Sequence, residues 1–489
     1  MRTIIIQIII YSYVLLLTAC YSKEPLTDTD IEAVQSPLVG ITQEDHFTPD
    51  ELCEAMASSP YFNLFGYNGG DKVETSPAMK AIFQMMVNPR LPKMDSLFVA
   101  EGHHSSDESQ RLWQVESYAF SYKSTSAQGE DIILSGRVTF PNSMDGKGHV
   151  VNTLSLCNHT LNTIPEITPS MALSMYPLRI FHNSAVIEPD YEGYGVNDDG
   201  HAHSGFSFQI LSVQLRDCML AARQVMKLRG VTLAADGCST GWGTSQGAAA
   251  TIAFSRYYDQ EASEAERRLI RLHSSYASEG LINPVETFDY VSRHPDFNAT
   301  LLHVTAAYLS NLTKEQLGGY DFEEFFPDGW RNRMLTINGS TKSYYQFWLA
   351  NRFFYCHKMP LRNEHRQFTY NFVPEMTMAD GAWDYTNPKT KAFVEAVRRQ
   401  TDFSGWVPVT PLYLAHQRQD DLIPYDQAYS LYDQLAQKGG CVFWQDSPLI
   451  TSAISTINPY LFYHQVASIF DLLRMVCSEW PSEVFSCMQ

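Results

Sequence analysis

Positive charge is scarce in this chain of 489 residues: 35 lysines and arginines stand against 54 aspartates and glutamates, a formal net charge of -19. No basic run interrupts the acidic excess, so a phosphate backbone has nothing to bind and nucleic acid is excluded as a partner. Metal-ligand spacing is missing as well. His103-His104 and His201-Ala202-His203 have no third ligand at a defined interval, and the cysteines show no zinc pattern. Neither an internal repeat nor a low-complexity tract is present, which excludes repeat arrays. The apolar run at the N-terminus is short for a full membrane span. With 44% hydrophobic and an ordinary 18% charged residues, the chain can bury a large core, and its length suits one core carrying a substantial insertion.

The stretch that carries chemistry is Gly243-Thr244-Ser245-Gln246-Gly247, followed by Ala248-Ala249-Ala250. It reads as a serine on a sharp strand-to-helix turn. Such a serine adopts a strained backbone, and its neighbours at minus two and plus two need almost no side chain, so that strand and helix can pass closely. The small-residue helix expected over Gln246 to Phe254 would turn its N-terminal amides toward charge developing in acyl transfer. A second match, Gly237-Cys238-Ser239-Thr240-Gly241, lies just upstream, but the glycines after Ser239 are poor helix material. Ser245 is the preferred nucleophile and Ser239 the alternative.

A nucleophilic serine needs a base and a carboxylate to orient it. The segment Val407 to Tyr413 reads as a buried strand, and beyond it Asp420 and Asp421 precede Pro424 and a helix expected from Asp426 to Gln437. An acid there stands at the carboxyl edge of a sheet. Asp420 is the first choice and Asp421 the second, the bland alternative being a helix N-terminal acid. Cys441 to Trp444 reads as the last strand, and His464 heads an amphipathic helix after it, which makes His464 the candidate general base. This chemistry calls for no metal or organic cofactor.

With elbow, post-strand acid and late histidine in that order, the sequence resembles the α/β-hydrolase superfamily, and within it the secretory-lipase-like and bacterial lipoprotein serine hydrolases. The likeness rests further on Ser135-Gly136-Arg137-Val138-Thr139-Phe140-Pro141, Asn158-His159-Thr160, Glu188-Pro189-Asp190-Tyr191-Glu192-Gly193-Tyr194-Gly195 and Gly405-Trp406-Val407-Pro408, and spans about residues 110 to 475. It implies an α/β-hydrolase fold, a mostly parallel doubly wound sheet with a helical cap between the sixth and seventh strands. It also implies an oxyanion hole built from the amides of Gln246 and Thr160. Where many relatives carry His-Gly and Gly-Gly, this chain has His159-Thr160 and Gly247-Ala248.

Met1-Arg2 and the isoleucine-rich run after it form an export signal ending Leu17-Thr18-Ala19-Cys20, which resembles a bacterial lipobox with Cys20 as the lipidated residue. The expected organisation is a signal peptide over 1–20, a polar tether over 21–50, a helical and loop segment over 51–110 and the first part of the core over 111–290. A helical cap over 291–400 and the rest of the core over 401–489 follow. Strands are expected at Val115 to Tyr122, Ile132 to Pro141, Val150 to Leu156, Ala185 to Glu188 and Leu269 to His273, with a helix at Leu211 to Leu228. The cap is dense in aromatics, among them Phe322, Phe325, Trp330 and Trp348, some lining a pocket and most packing the cap itself. Export permits disulfides, but their pairing is not legible; Cys157 and Cys238 read as small buried apolar residues. Together these features predict a lipid-anchored hydrolase of the bacterial outer membrane or cell surface, cleaving small-molecule, glycan or lipid esters through an acyl-enzyme. The alternatives are a serine peptidase of the same fold and a non-catalytic glycan-binding lipoprotein.

Overall fold

Two long segments rich in alternating apolar residues, β2 (Trp113–Thr125) and β3 (Asp131–Ser143), pair antiparallel from Trp113 opposite Ser143 to Thr125 opposite Asp131. They begin a nine-stranded sheet in a computed structural model that describes residues 37–59, 77–104, 111–158, 173–197, 205–294, 312–325, 382–420 and 423–447. The other strands are β1 (Leu38–Phe47), β4 (His149–Asn158), β5 (Ser184–Pro189), β6 (Val231–Thr244), β7 (Leu272–Ser278), β8 (Leu412–His416) and β9 (Val442–Asp446). Their order is β1-β2-β3-β5-β4-β6-β7-β8-β9. The first three pairings are antiparallel, and from β5 to β9 every neighbour is parallel.

Helices cover both faces, as buried parallel strands require. On one side lie α1 (Pro49–Ala57), α2 (Pro77–Val87) and α3 (Leu91–Ala100), whose Leu52, Phe83 and Phe98 join Trp242 and Tyr276 in one cluster. On the other lie α4 (Phe208–Leu228) and α5 (Gln246–Gln260). The remaining described α-helices are α6 (Glu264–Ile270), α7 (Pro284–Arg293), α8 (Pro388–Thr401) and α9 (Tyr425–Gln437). The period-two rule is visible in β8: Leu412 and Leu414 pack beside α5, while Tyr413 and Ala415 pack toward α1–α3.

On the α1–α3 face, four aromatics occupy matching register positions on consecutive strands. Trp242, Tyr276, Tyr413 and Phe443 stack with ring centroids 4.4, 4.7 and 4.8 Å apart. The Arg179 guanidinium closes the row 4.2 Å from the Trp242 ring, and burial lowers its pKa to about 10. Cross-strand contacts of this kind add to burial in fixing register.

Three expected boundaries move. Residues 38–47, expected within a polar tether, form edge strand β1. Its side chains Gln43, Glu44, Asp45 and His46 carry no apolar period; backbone pairing with β2 and ion pairs from Arg137 to Asp45 (2.9 Å) and Arg229 to Glu44 (2.7 Å) hold it. Leu269 and Ile270 close α6, which Ser263 and Glu266 start with a capping box, so the strand begins at Leu272 rather than Leu269. The run Val407 to Pro411 is not strand. Pro408 and Pro411 have no N–H to give, and the amides of Val409 and Thr410 donate to the Asp259 carboxylate at 2.9 and 3.2 Å, so β8 starts at Leu412.

Of the expected cap, residues 295–311 and 326–381 lie outside the described ones, and with the latter Trp330 and Trp348. Phe322 and Phe325 are buried with Trp383 and Phe393 of α8, where they pack the core. His103 is also accounted for: its Nδ1 lies 3.0 Å from Asp145 and its Nε2 3.2 Å from Glu101, which meets His149 Nδ1 at 2.7 Å. Among the described residues no group of three His, Cys, Asp or Glu side chains is arranged to hold a metal, and no helix is long and apolar enough to cross a membrane.

Candidate active site

Strand order decides where a site can form. β4 has β5 on one side and β6 on the other, so the connections leaving β4 and β6 diverge and open a crevice at the strands' carboxyl ends. Asn158 ends β4 opposite Gly243 of β6. Ser245 stands at that crevice, between the last residue of β6 and the first of α5.

Its backbone has φ 55 and ψ -120, a conformation that costs a side-chain-bearing residue about 1–3 kcal/mol and survives only where surroundings impose it. The surroundings do. Ser245 N–H donates to the Ser278 carbonyl at 2.9 Å, and the Ala248 amide closes the turn on the Ser245 carbonyl at 3.1 Å. A Cβ on Gly243 would stand 2.0 Å from the Gly247 oxygen, and one on Gly280 would stand 2.9 Å from Ala248 Cβ. Strand, turn and helix therefore pass within backbone distance. Gly243→Ala should lower the melting temperature by several degrees and remove reactivity at Ser245, checked by calorimetry and covalent labelling; wild-type values for both would contradict the close approach.

Ser239 lies elsewhere in the same strand. It is a mid-strand residue with no accessible surface, and its hydroxyl donates to the Ile270 carbonyl. Cys238 beside it is disulfide-bonded, not the apolar filler expected from sequence. Cys157 is a free buried thiol that burial holds well above its ordinary pKa, which suits packing and not nucleophilic chemistry.

Asp420 follows β8 by four residues, with its side chain fully buried. Oδ1 accepts the Ile423 N–H at 2.8 Å, and Oδ2 lies 3.2 Å from His416 Nε2, which also faces the Ile423 carbonyl at 3.1 Å. A ring nitrogen facing a carbonyl and a carboxylate carries the proton, so His416 is a donor that fixes Asp420. His416 escaped the sequence reading because it falls in what looked like the stretch after a strand; its signal was the spacing of four to Asp420.

Glu279 was also missed. It is fully buried at the end of β7 with φ 48, and its Oε1 accepts from Ser447 Oγ at 2.6 Å. Asn158 ties the end of β4 to α5 through Nδ2 to Thr251 Oγ1 at 2.9 Å. Gln246 opens α5 beside Ser245. His464, Thr160, His159, Asp421 and Cys20 lie outside the described residues.

Solved structures share this fold. A mutant of the rice cell wall degrading esterase LipA from Xanthomonas oryzae superposes with TM-score 0.57 at 17% identity, covering 79% of this chain and 94% of that one. The ligand-bound form of LipA gives 0.56 at 16%, covering 88% and 96%. A candidate hydrolase of Legionella pneumophila gives 0.56 at 14%, covering 91% and 98%. The fold is that of the α/β hydrolases. No family's sequence model matches the chain, and no curated protein matches it in sequence.

Within the α/β-hydrolase frame the remaining resemblance segments gain positions. Ser135 Oγ donates to Asp190 Oδ2 at 2.5 Å and receives the Val196 amide at 3.1 Å, so the β3 segment and the loop after β5 are one unit. Trp406 donates its ring N–H to Asp259 at the end of α5, at 3.0 Å, which ties the approach to β8 to the helix that starts at Ser245.

Proposed function

We propose that this α/β hydrolase is a serine esterase that works through an acyl-enzyme on Ser245. The observation that carries the reading is the strained backbone of Ser245 at the strand-to-helix turn over the sheet's switch point. The buried Asp420 beyond β8 supports it, and the name of LipA as an esterase agrees with it. In this reading His464 takes the Ser245 hydroxyl proton as the oxygen attacks the ester carbonyl, then returns it to the departing alcohol. Asp420 orients the imidazole and stabilises its cation. The amides of Gln246 and Thr160 hold the oxyanion, and water, deprotonated by the same histidine, releases the acid and restores the serine.

The test is purified protein offered p-nitrophenyl esters of graded acyl length and aminoacyl amides. Ester turnover well above amide turnover supports the esterase; the reverse order establishes a peptidase, and neither turnover nor serine labelling establishes a binding protein.

The N-terminal sequence supports a second part of the proposal, anchorage to a bacterial outer membrane or cell surface by lipid on Cys20. Cys20→Ser should lose incorporation of labelled palmitate and shift the protein from the detergent-phase to the soluble or uncleaved fraction. Palmitate retained on the variant would refute the anchor.

A further inference from the structure

The face of α5 that meets the sheet carries hydroxyls where apolar side chains would suffice for burial. Thr251 and Ser255 of the helix, Asn158 of β4 and Ser275 of β7 are all fully buried. Burying such groups costs free energy unless they are bonded, and here they are bonded to one another. Asn158 Nδ2 donates to Thr251 Oγ1 at 2.9 Å, and Ser255 Oγ lies 2.7 Å from Ser275 Oγ. Ser255 Oγ also lies 2.9 Å from the Thr251 carbonyl one turn back, so the two helix positions are themselves linked.

Between these ties runs β6, which has glycine at both levels where the helix passes over it. Asn158 stands opposite Gly243, and Ser275 stands opposite Gly241. A Cβ on Gly243 would stand 2.5 Å from Thr251 Oγ1, and one on Gly241 would stand 3.3 Å from Thr251 Cγ2 and 2.9 Å from Ser275 Oγ. Thr251 therefore lies in the groove that the two glycines leave open. Two strand residues advance about 6.6 Å and four helix residues about 6 Å, so the ties form together at one axial setting of the helix. Apolar contact alone would not choose that setting because it is non-directional, whereas a hydrogen bond is lost over a shift of about 1 Å.

The setting matters because of what stands at the start of the helix. Ser245 immediately precedes α5, and Gln246 opens it. Thr251 meets Gly243, two residues before Ser245, so the tie nearest the turn joins strand end, turn and helix. We propose that Thr251, held by Asn158, is a positioning residue for Ser245: the tie sets the depth of α5 against β4 and β6, and with it the place of the Ser245 hydroxyl and the Gln246 amide at the crevice. This rests on the serine-hydrolase reading. The Ser255–Ser275 tie lies a full turn further from Ser245 and secures the helix as a whole.

The experiment measures the rate of fluorophosphonate labelling in the full chain, and kcat and KM for p-nitrophenyl butyrate. Thr251→Val keeps the shape of the side chain and deletes the hydroxyl, leaving Asn158 Nδ2 without its acceptor. Misplacing a reacting group by about 1 Å costs up to about 10²-fold, so the labelling rate and kcat should each fall about tenfold with KM little changed. Thr251→Ser, which returns the hydroxyl, should restore both to within about threefold of the parent. Ser255→Ala removes the other tie and should lower the melting temperature about as much as Thr251→Val does, with labelling within about twofold of the parent. A parental labelling rate and kcat in Thr251→Val overturn the proposal whatever the melting temperature. Equal loss of reactivity in Ser255→Ala overturns it too, because the effect is then one of general stability. If Thr251→Val does not fold, Asn158→Ala removes the same bond from the strand side and is judged by the same rates. Wild-type protein that takes no fluorophosphonate refutes the serine-hydrolase reading itself, and this is seen before any variant is made.

Discussion

Replacing Ser245 by alanine is expected to lower ester turnover by about four orders of magnitude or more, with the melting temperature near that of the parent. The size follows from the chemistry: without the hydroxyl no acyl-enzyme forms, and what remains is whatever the oxyanion donors and binding alone can do. Fold should survive because the strain at Ser245 belongs to its backbone, held by the Ser278 carbonyl and the Gly243 and Gly280 contacts, and not to its side chain. Ser239→Ala is the matched control. Its hydroxyl bonds the Ile270 carbonyl inside the sheet, so its loss should cost stability of about 1 kcal/mol and leave turnover intact. Reversed outcomes would move the nucleophile to the upstream match.

The second large effect is expected at Asp420. Asp420→Asn should lower kcat about 10⁴-fold, the scale on which an amide fails to hold the correct imidazole tautomer and stabilise its cation. The structure adds a smaller stability effect. Asparagine keeps an oxygen for the Ile423 amide but turns an NH₂ toward His416 Nε2, where the carboxylate accepted, leaving a buried donor without an acceptor. A loss of roughly 1–3 kcal/mol follows, which calorimetry reads separately from kinetics. A stable variant with near wild-type kcat would show that another carboxylate orients the base.

Much of this was legible in the residues, and the parts that were not have identifiable causes. The elbow could be read because its needs are local: two glycines, a serine and an alanine run describe both the backbone and its close packing. β2, β3 and β4 could be read because their apolar residues alternate along the chain, although most positions on both faces are buried. β1 could not, since an edge strand held by its backbone and by Arg137 and Arg229 needs no apolar period. The start of β8 was placed too early because Val407 and Val409 look like strand residues. Only the fold brings Asp259, 150 residues away, to take the amides of Val409 and Thr410.

The place of the candidate acid Asp420 after a strand could be read from the sequence, but its contacts could not. Glu279 is held by Ser447 from beyond another strand, and sequence alone does not show which strand ends are neighbours. The choice between Ser239 and Ser245 shows the same limit from the other side. Both fit the five-residue pattern, and strand position separates them: Ser239 lies within β6 with its hydroxyl engaged, and Ser245 lies at its end with φ 55.

The proposed nucleophile is the Ser245 hydroxyl. The most direct measurement is to treat the full chain with a fluorophosphonate and map the adduct by mass spectrometry. Both serines fall on one tryptic peptide, Gly230–Arg256, so fragment ions must resolve the interval between them. A single adduct on Ser245, absent from Ser245→Ala, is expected. An adduct on Ser239 or on any other residue, or none on protein shown to be folded, would contradict it.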